Sequence, residues 1–70
     1  MNYTVIYEAT PTGYSAYVPD LPGCVAAGKT RAEVERLIRS AIRSHVEVMR
    51  SLGEPIPSAS TWSDTVAGPG

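Results

Sequence analysis

The feature that most constrains this chain is a helix start that can be read almost to the residue. Lys29-Thr30-Arg31-Ala32-Glu33 sets a threonine three residues ahead of a glutamate, directly before a periodic apolar run. The Thr30 hydroxyl can accept the amide of Glu33 while the Glu33 carboxylate reaches back to the amide of Thr30. This capping box begins a helix at about residue 31. At about 100° per residue, Val34, Leu37, Ile38, Ala41, Ile42, His45, Val46, Met49 and Leu52 share one half of the cylinder. Arg36, Arg39, Arg43, Glu47 and Arg50 hold the other half. Gly53, followed by Pro55, ends the run as the left-handed residue after the last turn. Such a helix, about 21 residues long, spans roughly 30 Å and can cover one face of a small sheet. In a chain of 70 residues, little else fits.

The sheet is legible upstream. Residues 3–8 alternate, with Tyr3, Val5 and Tyr7 on one side and Thr4, Ile6 and Glu8 on the other, and so read as a strand. Residues 9–13, Ala-Thr-Pro-Thr-Gly, read as the turn. From Tyr14 to Val18 the alternation resumes, with Tyr14, Ala16 and Val18 opposing Ser15 and Tyr17, which makes an antiparallel hairpin. Pro19 and Pro22 remove two ladder donors and stop the second strand. Cys24-Val25-Ala26-Ala27 then forms a third strand of small side chains that admits close approach of another element. The fold class expected is α+β: an antiparallel sheet of three to four strands with one long helix across one face. Thr65 to Ala67 is the place for the fourth, edge strand, within a tail that also carries Trp62.

Size and composition narrow the options further. A domain this short buries only about 60% of its unfolded surface and commonly needs a disulfide, a metal or an oligomer to support it. A single cysteine, Cys24, forbids an internal disulfide and fits a reducing, cytoplasmic compartment. With one cysteine and one histidine the chain lacks a structural metal set, and no cofactor motif is present. A homo-oligomer is the remaining support, and the net charge of −1 offers little self-repulsion against it. The pI of 5.6 argues against a nucleic-acid binder. No apolar run approaches the roughly 20 residues that cross a bilayer.

Two loops then agree at a fixed spacing. Tyr14-Ser-Ala-Tyr-Val-Pro-Asp-Leu-Pro-Gly-Cys24, followed by Gly28-Lys29-Thr30 and the capped helix, by Ala41-Ile42-Arg43-Ser44-His45 and by Gly53-Glu54-Pro55-Ile56-Pro57, resembles the HicB-like antitoxin family. The resemblance covers residues 3–57. It implies a β-β-β-α-β domain, similar to a pared-down ribonuclease H fold, over residues 1–57, with 58–70 as a tail. It also implies a dimer or tetramer and a small messenger-RNA-cleaving toxin as partner. Full-length members resemble two-part proteins with a following operator-binding domain, which residues 58–70 are too few to supply. A DNA-binding regulator acting as an oligomer, or a stand-alone oligomer of other function, is therefore the alternative rather than the main expectation.

Weighed residue by residue, no catalytic set emerges. Glu8 and Asp20 fall short of the three or four convergent carboxylates of a two-metal nuclease. Asp20 reads instead as the acceptor of neighbouring amides in its own turn. His45 reads as a neutral core histidine, and Cys24 as packing rather than nucleophile. No enzyme is expected. The residues expected at a partner or oligomer interface are Tyr3, Tyr7, Tyr14, Tyr17, Asp20, Arg39 and Arg43. The tyrosines offer apolar area with a hydroxyl, and the arginines an excess of positive charge on the outer helix face.

Overall fold

The computed structural model describes residues 2–69. Three strands, β1 (Ile6–Thr10), β2 (Gly13–Tyr17) and β3 (Val25–Gly28), form one antiparallel sheet in the order β1-β2-β3, and α1 (Arg31–Ser51) follows. The α+β expectation holds at three strands. Residues 54–69 contain no strand, so the edge strand considered at Thr65–Ala67 does not form.

Strand ends differ from the alternation pattern for local reasons. β1 begins at Ile6 rather than Tyr3 because Ile6 pairs with Tyr17, the last residue of β2. Beyond it Pro19 has no amide to offer, so residues 3–5 have no partner strand. The hairpin is tighter than the five-residue turn expected: Thr10 pairs with Gly13, leaving Pro11-Thr12 as the turn. Neither residue has a positive φ. The turn is thus of the ordinary kind that proline at its first corner favours.

The prolines between β2 and β3 build two successive turns. The Leu21 amide donates to the Val18 carbonyl (3.0 Å), the Cys24 amide to the Leu21 carbonyl (3.0 Å), and the Val18 amide to the Cys24 carbonyl (3.1 Å). Each proline sits at the first corner of its turn. The second turn carries Gly23 at φ 84°, the left-handed corner that a type II turn reserves for glycine. Closing the loop on itself drives Leu21 into the interior, fully buried, beside Val18 and Cys24.

The register decides which face the helix covers. Tyr7, Ala16 and Ala26 align across the sheet on the inner side, and Ile6, Tyr17 and Val25 align on the outer. Ala16, Val18, Leu21 and Cys24 meet Val34 and Ile38 of α1 in the core. Tyr3, Val5, Tyr14, Ala26, Ala41, Ile42 and Val46 pack around it. Alanines at the centre of the inner face let the helix approach closely.

Both helix ends are capped. The Glu33 amide donates to Thr30 Oγ1 at 3.1 Å, as expected, but Glu33 Oε1 accepts from the Lys29 amide at 3.2 Å rather than from that of Thr30. At the far end the Gly53 amide donates to the Arg50 carbonyl and the Glu54 amide to the Met49 carbonyl, with Gly53 at φ 70°. These two bonds form the Schellman pattern. Thr30→Ala is expected to lower stability by about 0.5–2 kcal/mol, read from urea unfolding midpoints at unchanged slope.

The apolar stripe is wider than the surface it covers. α1 packs on β2 and β3 but not on β1. Only Val34 and Ile38 are fully buried, while Val46 and Met49 are half-buried and Leu52 is exposed. Leu37, at the edge of the stripe, is also exposed. His45, expected in the core, is half-buried and lies outside the core cluster, because the second half of the helix overhangs the strands.

Candidate interaction site

Divergence of α1 from β1 opens a groove of about 820 Å³ between the N-terminal segment and the second half of the helix. Tyr3, Val5 and Tyr7 line it from the sheet side, and Ile42 and Val46 from the helix. Asn2 and Ile56 also line it, and the exposed Arg39, Arg43, Glu47 and Arg50 form the rim. An apolar floor under a rim of three arginines and one glutamate suits a segment that is apolar and carries negative charge.

The expected interface residues therefore separate into distinct places. Tyr3, Tyr7, Arg39 and Arg43 come together at this groove. Tyr14 is half-buried against the core. Tyr17 stands on the opposite face of the sheet, between Ile6 and Val25 in the register, with Tyr17 and Val25 exposed. That outer row is flanked by Glu8, Ser15 and Ala27, the neighbouring set of pairs.

Asp20 does something different from the local turn expected of it. Its carboxylate points out of the Val18–Leu21 turn and accepts four hydrogen bonds from 40 residues downstream. The Ser60 amide (3.1 Å) and hydroxyl (3.0 Å) and the Thr61 amide (2.9 Å) and hydroxyl (2.7 Å) are the donors. Alongside, Tyr3 Oη donates to the Pro57 carbonyl at 2.6 Å and Thr4 Oγ1 to the Thr61 carbonyl. The segment after the helix is thus tied to residues 3–4 and to the first proline turn. Nothing local in the sequence signals the pairing of Asp20 with Ser60-Thr61.

The bonds from the Thr61 hydroxyl and amide, with those of Ser60, hold the Asp20 carboxyl below its ordinary 3.8. Because the folded value lies below the unfolded one, this tie is intact above the ordinary aspartate range and is lost as pH falls through the depressed value. Acidification is expected to free the Ser60 and Thr61 amides, seen as faster hydrogen exchange and shifted amide resonances with a midpoint below 3.8. Unchanged Ser60 and Thr61 amides through that range would contradict the tie.

Cys24 is buried, and burial pushes its thiol up from the usual range, which leaves it protonated and poorly nucleophilic at neutral pH. Among the described residues no group of three or more His, Cys, Asp or Glu side chains converges to hold a metal ion. No helix among the described residues is long and apolar enough to cross a membrane.

Comparison with known proteins places the chain in a family. The chain is 40% identical over 67 residues to a UPF0150 protein of Thermoplasma acidophilum, covering 94% of this chain and 97% of that one. It is 37% identical over 59 residues to an uncharacterized 14.9 kDa protein of Haemophilus phage HP1, covering 84% of this chain but only 44% of the phage protein. Among solved structures, a chain of the HicA3 and HicB3 toxin-antitoxin complex superposes with a TM-score of 0.67 at 33% identity, covering 89% of this chain and 70% of that one. The sequence model for the HicB_like antitoxin of bacterial toxin-antitoxin systems matches residues 3–70. This chain belongs to the HicB-like antitoxin family.

Proposed function

We propose that this chain is a non-enzymatic inhibitor that binds a small messenger-RNA-cleaving toxin and blocks it sterically, as the antitoxin of a type II toxin-antitoxin pair. The single observation that carries the reading is its likeness, over 89% of its length, to a chain of a toxin-antitoxin complex. Residues 1–57 are the interaction module and residues 58–70 a tail. The module works without a cofactor, in the cytoplasm, as a homo-oligomer.

The outer sheet face is the surface proposed for the toxin. Ile6, Tyr17 and Val25 give an apolar row, and Glu8 in the adjacent row adds a negative charge. A protein that cleaves RNA needs a basic surface to hold phosphates, and a mixed apolar and acidic face is complementary to one. Coverage of that surface excludes the substrate without any chemistry by the antitoxin.

Co-expression with the adjacent reading frame tests the proposal. A stable complex and restored growth are expected, with both weakened by Tyr17→Glu. No complex and no rescue would sink it. Gel-shift binding of DNA at low salt that collapses with Arg39→Glu would support the DNA-binding alternative instead.

A further inference from the structure

Past Thr61 the chain leaves the body of the protein. Residues 62–69 are all exposed, and Trp62 and Val66 each retain 84% of their accessible surface. The only side-chain hydrogen bond described in this stretch is local, from the Thr65 amide to the Asp64 carboxylate. The molecule is extended to match. Its radius of gyration is 13.8 Å, against about 11 Å for a compact chain of this length. Its longest dimension is 49 Å, where the helix accounts for roughly 31 Å. Among the described residues, Trp62 and Val66, four residues apart on this arm, are the most exposed of the large apolar side chains.

The arm and the groove are complementary. The arm offers two apolar side chains with one carboxylate, Asp64, between them. The groove offers an apolar floor that includes Tyr7, Ile42 and Val46, under a rim with two positive charges in excess, three arginines against Glu47. The arm does not fill the groove of its own chain: Ile56 is the last residue to line it, and the Asp20 tie at Ser60-Thr61 carries the following residues elsewhere. Extended, residues 62–69 reach about 26 Å, enough to cross to a neighbouring molecule.

We propose that the arm of residues 62–67 docks in the Tyr7–Arg43 groove of a second copy of this chain, and that two copies exchange arms reciprocally. This inference deepens the self-association in the functional reading and is independent of toxin binding. Trp62 and Val66 enter against Ile42 and Val46, and Asp64 meets Arg43 at the rim. Reciprocal exchange is a closed, isologous arrangement that satisfies both grooves and both arms at once. Each tryptophan buries roughly 150–250 Å², and two arms with the groove walls they cover approach the ~1,200 Å² of a specific interface. The Asp20 tie acts as the root of the arm and fixes where it departs.

Trp62 is the only tryptophan, so its fluorescence reports the docking directly. On the intact chain, sedimentation equilibrium and Trp62 emission are followed together across a dilution series. The expected result is a dimer whose formation coincides with a shift of Trp62 emission to shorter wavelength. Trp62→Ala, Arg43→Glu and Asp64→Arg, all at exposed positions, each weaken dimerisation at least tenfold. Asp64→Arg combined with Arg43→Glu restores it, an outcome a general loss of stability would not give. A dimer in which Trp62 keeps the emission of a solvated indole, or one indifferent to Trp62→Ala, overturns the arm exchange and leaves self-association to another surface. A wild-type chain monomeric at every concentration overturns both. Toxin binding measured on the same variants stays with Tyr17 and Val25 and decides that reading separately.

Discussion

Leu21→Ala is expected to cost about 2–5 kcal/mol of folding free energy, the range for emptying a fully buried leucine site. Leu21 has no accessible surface, although it lies in a loop between two prolines. Its position is fixed from both sides, since its amide closes the first turn on Val18 and its carbonyl receives the Cys24 amide of the second. The loop therefore has little freedom to collapse into the space left, and the cost falls toward the upper part of the range. A 70-residue domain holds only about 4–10 kcal/mol in total. The variant is expected to be substantially unfolded at growth temperature, with a urea midpoint reduced by half or more. Leu21→Met, which keeps most of the volume, should lose less than about 1.5 kcal/mol. Near-wild-type unfolding of Leu21→Ala would contradict the loop's role as a core element.

Ala16→Leu tests the opposite property, the closeness of the helix. Ala16 is 2% exposed and pairs with Tyr7 on one side and Ala26 on the other, directly beneath α1. Added methylenes there have no space to enter, so either the helix lifts or side chains leave their preferred rotamers, at about 1–3 kcal/mol. The same displacement pushes α1 away from the sheet and alters the groove beside it. A drop in thermal midpoint together with weakened dimerisation is the expected pair of results. Full retention of both would mean that the helix does not rest on this alanine.

How much of this could be read from residues alone varies with the range of the interaction. Thr30 and Glu33 announced the helix start because capping is local, and Gly53 announced its end for the same reason. The inner face was also legible, since the period-two pattern of Tyr14, Ala16 and Val18 matches the side that the helix covers. The start of β1 was not, because Tyr3, Thr4 and Val5 have strand-like chemistry and lack only a partner, and that lack lies in Pro19. His45 and Leu52 looked buried because periodicity places them on the apolar half of α1. It cannot show that the strands beneath stop short of them.

The interface residues divide along the same line. Tyr3 and Tyr7 are far in sequence from Arg39 and Arg43, and only the fold gathers the four at one groove. Asp20 was visible as an unusual residue in a rigid loop, but its four donors lie 40 and 41 residues away. The exposure of Trp62 has no local signal either, because what a tail residue packs against is set by the whole fold. Long-range closure, rather than local propensity, made the difference in each case.

The most direct test of the proposed function is a messenger-RNA cleavage assay with the purified partner toxin titrated by this chain. The account predicts that cleavage falls in proportion to added chain and stops at a fixed stoichiometric ratio, while Tyr17→Glu leaves the toxin active. An undiminished cleavage rate in the presence of a large excess of folded chain would contradict it.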